Sequence, residues 1–304
     1  MSDEGSELLS LLRDPPAAYR PAMFWLLNGR LTPERMREQI RQMHERGCGG
    51  FFLHPMGEAF RLRDFIAGID PPYLSDEYFA LIRLAVEEAD RLGIYAWLYD
   101  EGGWPSGTAQ GRVVAGHPEL RGRVLGVGGD GELVAQVTLG GSRLRFTAQV
   151  GGYPVDTLNP ATAARFIELT HERYAQAVGE FFGGTIPGMF TDEVAVGGRV
   201  GGDAVPWSPG LLEQFERRRG FDLTPWLPAL FGDEALGLVL AEHFAPEDIA
   251  TVRCEFCELW TELFREAYFE PINRWCAEHG LLHTGHVGGE DDLRSHAAHF
   301  GHFF

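Results

Sequence analysis

The sequence predicts an α/β protein of the (β/α)8-barrel type that is truncated after about five strands and carries a small β insertion after the third. Three observations lead there. Short apolar runs alternate with amphipathic helical stretches in the order βαβαβ, the mark of a parallel sheet with crossover helices. Residues 94–99 are apolar or aromatic throughout, which suits a strand buried on both faces. That run and a later one end in adjacent acids, Asp100-Glu101 and Asp192-Glu193, and a (β/α) barrel presents such acids at its catalytic face. A solvated strand end would explain one acid pair equally well. Tyr99 and Trp104 beside the first pair favour a site, because an aromatic platform next to carboxylates suits a sugar ring.

In order along the chain, residues 1–20 read as a polar leader with a Pro-rich turn, and residues 21–304 as the barrel domain. Ala22–Leu27 is the first strand, ending at Asn28-Gly29. Thr32 caps a helix with Pro33 at its first position, and Met36, Ile40 and Met43 form its apolar stripe. Phe51-Phe52-Leu53 is the second strand, ending at His54-Pro55. Ser75 opens the next helix, with Leu81, Leu84, Ala85 and Ala89 facing inward, and residues 94–99 are the third strand. Residues 121–155 break the rhythm with short strands and Gly-rich turns, the β insertion. Gly126, Gly128 and Gly131 match G-x-G-x-x-G, but a strand follows them instead of a helix, which argues against a dinucleotide site. One long helix is expected over 159–182, a fourth strand at 188–191, a helix capped by Ser208-Pro209, further helices over 246–279, and a fifth strand at 281–284. An open five-stranded α/β sheet is the alternative to a barrel.

The totals exclude some functions. The net charge of −18 argues against nucleic acid or an anionic membrane as the main partner, since phosphate binding needs clustered Lys and Arg. A neutral carbohydrate is not disfavoured. No signal peptide and no apolar run of membrane-spanning length is evident, so a cytoplasmic protein is expected. Cys48, Cys254, Cys257 and Cys276 lack a second ligand pair at zinc-site spacing and are expected to be buried free thiols.

The acids allow glycoside hydrolysis, in which one carboxyl protonates the leaving oxygen and the other activates water or attacks the anomeric carbon. The same acids could bind a hard cation. Spacing alone leaves inversion and retention open. His54 is placed either to hydrogen-bond a sugar hydroxyl or to sit half-buried and satisfied. Of His283 and His286, strand alternation leaves only His286 near the site. His296, His299 and His302 could share a helix face, so a metal-dependent hydrolase is a rival reading. Ser106, in Pro-Ser-Gly, reads as a turn residue.

Five motifs occur in family order: Phe24-Trp25-Leu26-Leu27-Asn28-Gly29; Gly49-Gly50-Phe51-Phe52-Leu53-His54; Leu98-Tyr99-Asp100-Glu101 with Trp104-Pro105-Ser106-Gly107; Phe190-Thr191-Asp192-Glu193; and Thr284-Gly285-His286 with Glu290. Together they resemble glycoside hydrolase family 106, the α-L-rhamnosidase-like enzymes. The resemblance implies a (β/α)8 barrel, inverting hydrolysis by two carboxylates and calcium near the sugar subsite. It implies Glu193 and Glu290 as the catalytic pair. Asn28, His54, Asp100, Glu101, Trp104, Asp192 and His286 would bind the carbohydrate substrate, and Asp192 and Glu101 would bind Ca2+. Family members continue into further barrel strands and β-rich domains. A missing C-terminal segment, or self-association covering the open barrel, is therefore expected. A non-catalytic carbohydrate-binding remnant is the alternative function.

Overall fold

Two of the helices begin where the capping chemistry places them. In the computed structural model, which describes residues 3–57 and 68–287, the Thr32 hydroxyl accepts the Arg35 N–H and the Ser75 hydroxyl accepts the Tyr78 N–H. Gly93 ends the second of these helices at φ +68°, a conformation that a side chain would strain.

The element order is α1 (Asp3–Arg13), β1 (Ala22–Leu27), β2 (Gly29–Arg30), α2 (Pro33–Glu45), β3 (Gly50–Pro55), β4 (Ile69–Asp70), α3 (Asp76–Leu92) and β5 (Tyr95–Tyr99). Next come β6 (Arg121–Val127), β7 (Glu132–Leu139), β8 (Ser142–Val155), α4 (Pro160–Leu169), α5 (His171–Val178) and β9 (Gly188–Val194). The order closes with β10 (Ala204–Trp207), α6 (Leu211–Arg219), α7 (Asp233–Leu236), α8 (Pro246–Phe264), α9 (Glu270–Glu278) and β11 (Leu282–Val287).

The chain divides into two compact units. The first takes residues up to Gln110, then Phe166–Glu193 and Ile272–His286. Its centre is a parallel five-stranded sheet in the order β1-β3-β5-β9-β11. Strand alternation gives the sheet two unlike faces. Phe51, Leu53, Ala96, Leu98 and Met189 are buried on one. On the other, Phe24, Phe52 and Trp97 stand in register and stack at ring-centroid distances of 4.8 and 5.2 Å. Met23, Phe24 and Leu26 of β1 and Leu282 of β11 remain 45–62% exposed at the two edges of this sheet.

Two expectations shift in this unit. The core face of α3 is Tyr78, Ile82, Ala85, Val86 and Ala89, one position round from the predicted stripe, with Leu81 and Leu84 only half-buried. The helix expected over 159–182 breaks at Thr170, whose hydroxyl donates to the Phe166 carbonyl at 2.7 Å and whose backbone leaves helical geometry. A side-chain hydroxyl that shares a helix carbonyl often bends the helix.

The second unit takes Gly111–Arg165 and Val194–Pro271. Its sheet is antiparallel, in the order β10-β6-β8-β7, and contains the three strands of the predicted insertion. β10 lies in what reads as a Gly-rich loop; it carries Pro206 and is an edge strand, where proline is tolerated. Phe146 packs on Phe231, with ring centroids 5.4 Å apart. Ser208 does not cap α6. Its hydroxyl donates instead to Asp156 Oδ2 at 2.7 Å, and Gly210, in the left-handed region, precedes the helix. Arg218 and Arg219 at the end of α6 bridge to Glu262 and Glu266 of α8 and its continuation. All four cysteines are free thiols, but Cys254 is exposed and only Cys276 is fully buried.

Candidate active site

Alternation at the ends of β5 and β9 divides the functional side chains between the two faces of the sheet. On the aromatic face, the Tyr99 hydroxyl donates to Asp192 Oδ2 at 2.6 Å, and His286 Nδ1 lies 3.3 Å from Asp192 Oδ1. The His54 ring stacks on Tyr99 at 3.7 Å and meets Trp104 and Phe24 edge-on at 5.6 and 5.9 Å. His54 is 3% exposed, yet neither ring nitrogen has a hydrogen-bond partner among the described residues. Burial lowers its pKa to about 4, so the imidazole is neutral at pH 7. An orphaned buried donor and acceptor beside aromatic rings can accept a ligand hydroxyl without giving up an internal bond.

On the opposite face, Asp100 is fully buried. Its Oδ1 accepts the Ser106 hydroxyl and its Oδ2 the Thr191 hydroxyl, each at 2.6 Å. His283 Nε2 lies 2.9 Å from Thr191 Oγ1. Strand alternation does take His283 away from the aromatic face, but it leads into this second network. Burial raises the Asp100 pKa to about 8, against the pull of the two hydroxyls.

Glu101 is 2% exposed and closes the following loop on itself. Its carboxylate accepts the N–H groups of Gly102, Thr108, Ala109 and Gln110 at 2.7–2.9 Å, and the Thr108 hydroxyl at 3.0 Å. Ala109 and Gln110 lie at φ +47° and +54°, which aims successive N–H groups at one point. Such a nest is an anion-binding concavity, and here the chain's own carboxylate fills it. Burial nonetheless raises the Glu101 pKa above its ordinary value.

Glu193 differs from both acids of the first pair. It is only half-buried, and its backbone sits at φ +46°, left-handed geometry for a residue that is not glycine. That conformation costs roughly 1–2 kcal/mol and persists only where the surroundings hold it.

The other predicted residues sort as follows. Trp104 is half-buried against His54, as a platform residue would be. Asn28 is exposed, and its side-chain oxygen accepts the Gly68 N–H at 3.1 Å, which ties the end of β1 to the chain before β4. Glu290, His296, His299 and His302 lie outside the described residues. For calcium, Asp192 and Glu101 do not fit. Glu101 spends both oxygens on backbone donors, one Asp192 oxygen accepts Tyr99, and no group of three His, Cys, Asp or Glu side chains among the described residues is arranged for a metal. Ser106, Thr191 and His283 are the polar residues that sequence reasoning missed. The signal for Ser106 was its place inside the Trp-Pro-Ser-Gly motif, six residues after Asp100.

Carboxylates at strand ends beside aromatic rings are the kind of groups that glycoside hydrolysis requires. A sequence model of glycoside hydrolase family 106, alpha-L-rhamnosidase, matches residues 137–291, slightly more than half of the chain, and the chain belongs to that family. A rhamnosidase from Novosphingobium sp. PP1Y shares the fold, with a TM-score of 0.63 at 14% sequence identity. The match covers 92% of this chain and 47% of that one, so this chain spans about half the length of that rhamnosidase. A family GH13_31 enzyme overlays with a TM-score of 0.37 at 9% identity over 88% of this chain and 51% of its own, too little to define a shared fold. No curated protein sequence matches the chain. No helix among the described residues is long and apolar enough to cross a membrane.

Proposed function

We propose that this chain forms the catalytic part of a (β/α)8-barrel glycoside hydrolase that removes a terminal α-L-rhamnosyl or similar deoxysugar residue. The observation that carries the reading is Glu193. It is a carboxylate at a strand end, held in a left-handed backbone conformation next to Asp192 and on a strand that borders the aromatic face. Strained backbone concentrates at sites where geometry matters more than stability. The strand order supports the barrel, because the five strands neighbour one another in chain order without the reversal of a doubly wound sheet.

In this reading Glu193 and Glu290 divide the work of an inverting displacement. One protonates the leaving oxygen and the other draws a proton from the attacking water. His54 and Trp104 hold the sugar, the first by its free ring nitrogens and the second by ring contact. Tyr99 fixes Asp192, and His286 faces its other oxygen, so Asp192 orients a hydroxyl from a defined position. Asp100 and Glu101 move out of the substrate shell and into the scaffold beneath it.

Release of 4-nitrophenol from the aryl α-L-rhamnoside tests the reading, beside a panel of other aryl glycosides. The expected outcome is turnover that falls at least 10³-fold in Glu193→Gln and in Glu290→Gln, with both variants folded. Full activity in both variants overturns it.

A second reading is favoured by the exposed apolar side chains of β1 and β11. Sheet edges of this kind call for cover by further strands or by another copy. If this chain is a carbohydrate-binding remnant, calorimetry with rhamnose detects binding while no aryl glycoside is hydrolysed. Light scattering then distinguishes a self-associated chain from a monomer.

A further inference from the structure

The turn residue Ser106 joins Asp100 to the residue before Glu193, and two of its hydrogen bonds meet at that residue. Its hydroxyl donates to Asp100 Oδ1 at 2.6 Å and accepts the Asp192 N–H at 2.8 Å. Its own N–H donates to the Asp192 carbonyl at 2.7 Å. Ser106 therefore grips Asp192 by both of its backbone polar groups. The Asp192 carbonyl belongs to the peptide unit whose nitrogen is that of Glu193, so the same bond fixes the plane from which Glu193 turns to φ +46°.

We propose that Ser106, oriented by Asp100, is a positioning residue that holds Glu193 in its left-handed conformation and so sets the direction of its carboxyl. The proposal rests on the reading of Glu193 as a catalytic carboxylate. Asp100 supplies the orientation: its Oδ1 accepts the Ser106 O–H, which turns a lone pair of the Ser106 oxygen toward the Asp192 N–H. The Thr191 hydroxyl on Asp100 Oδ2 holds the same carboxyl group from β9. The nest around Glu101 holds the remainder of the loop, and Ser106 is thereby presented from a closed ring of chain running from Glu101 to Gln110. Ser106 and Asp100 are both fully buried, so neither touches substrate, and their effect on turnover passes through β9.

The test sets Ser106→Ala beside Glu193→Gln, with near-ultraviolet circular dichroism to establish folding. Steady-state kinetics and pH profiles use the aryl α-L-rhamnoside, and amide exchange at Asp192 is followed by ¹⁵N NMR. The expected result is a kcat at least 30-fold lower in Ser106→Ala with KM within threefold. The pH limb that Glu193→Gln removes should move by at least half a unit, and the Asp192 amide should exchange at least tenfold faster. Full kcat in a folded Ser106→Ala, with Glu193→Gln inactive, overturns the positioning role and leaves the hydrolase reading standing. Equal losses in kcat and KM with an unmoved pH limb also overturn it, since they mark general damage. If Glu193→Gln keeps its turnover, or the chain has none, the hydrolase reading falls and amide exchange alone decides: unchanged protection of Asp192 in Ser106→Ala sinks the clamp. Should Ser106→Ala not fold, Ser106→Cys keeps the volume with a much weaker acceptor and is read in the same way.

Discussion

Asp100-Glu101 and Asp192-Glu193 are the same dipeptide at the ends of two neighbouring strands, and the structure uses them in opposite ways. The first pair is buried and saturated: Asp100 by two hydroxyls, Glu101 by four N–H groups and a hydroxyl. The second keeps an Asp192 oxygen facing His286 and a half-buried Glu193 on strained backbone. What separates them is the chain that follows. After Glu101 the loop turns back within nine residues, and Ala109 and Gln110 adopt the left-handed geometry that aims their N–H groups at it. A carboxylate whose own chain has claimed its lone pairs is closed to a ligand. The motif does not reveal that for Glu101, and the hydrogen bonds do.

The largest expected contrast is between Glu193→Gly and Glu101→Gln. Glycine at 193 removes the carboxyl proposed as catalytic and also the cost of a side chain at φ +46°. Turnover should fall at least 10³-fold while stability rises by about 1 kcal/mol. Glu101→Gln puts an NH₂ group into a nest of donors, leaving at least two buried N–H groups facing another donor. It should lower stability by about 3 kcal/mol, read from urea unfolding. If Glu193→Gly destabilises as much as Glu101→Gln, the two pairs are not as different as their geometry says.

Asp100→Asn gives the next largest effect, in the pH dependence of stability. The folded-state pKa near 8 lies above the unfolded value of 3.8, so between those values the folded state binds the extra proton. Stability is full below about pH 4 and declines as pH rises through about 8. Asparagine does not titrate, so the variant should lose at least about 1 kcal/mol less than the parent chain between pH 5 and 8.5. Parallel slopes in the two proteins would place the carboxylate in a more hydrated setting than the structure shows.

The elements that were legible in the sequence are those specified by local chemistry. β1 and β5 are continuous apolar runs, β3 and β9 are built on shorter ones, and the caps at Thr32 and Ser75 need only residues within three positions. What was hidden depends on distant partners. β10 is four residues with a proline and exists by pairing with β6, far back in the chain. Thr170 continues the helical period, and nothing in the residues around it marks its departure to φ −120°, ψ −70°. Ser208 reads as an N-cap until Asp156 takes its hydroxyl. The site divides similarly. The positions of Glu193, Asp192, His286, His54 and Trp104 follow from strand ends and alternation, whereas the role of Glu101 needed the returning loop and that of Ser106 the neighbouring strand.

The smallest effect tests whether His54 belongs with the second acid pair or with the saturated first one. Its ring is as buried as Asp100, yet its nitrogens lack partners among the described residues. In the unfolded chain its pKa is 6.5 and in the folded protein about 4, so acid favours unfolding: stability present above pH 6.5 is lost as pH falls through about 4. His171 and His283, lowered to about 3 and about 4 by burial, add to the same acid limb, so His54→Phe should flatten it only in part. Phenylalanine keeps the stack on Tyr99 and removes two orphaned polar atoms. At pH 7 the variant should be up to about 1 kcal/mol more stable than the parent while binding sugar at least tenfold more weakly. A residue conserving stability would show the opposite pair of signs. If His54→Phe is destabilised at pH 7 and its KM for the aryl rhamnoside is unchanged, the imidazole is a packing element and the substrate-facing side of the comparison shrinks to Asp192, Glu193 and His286.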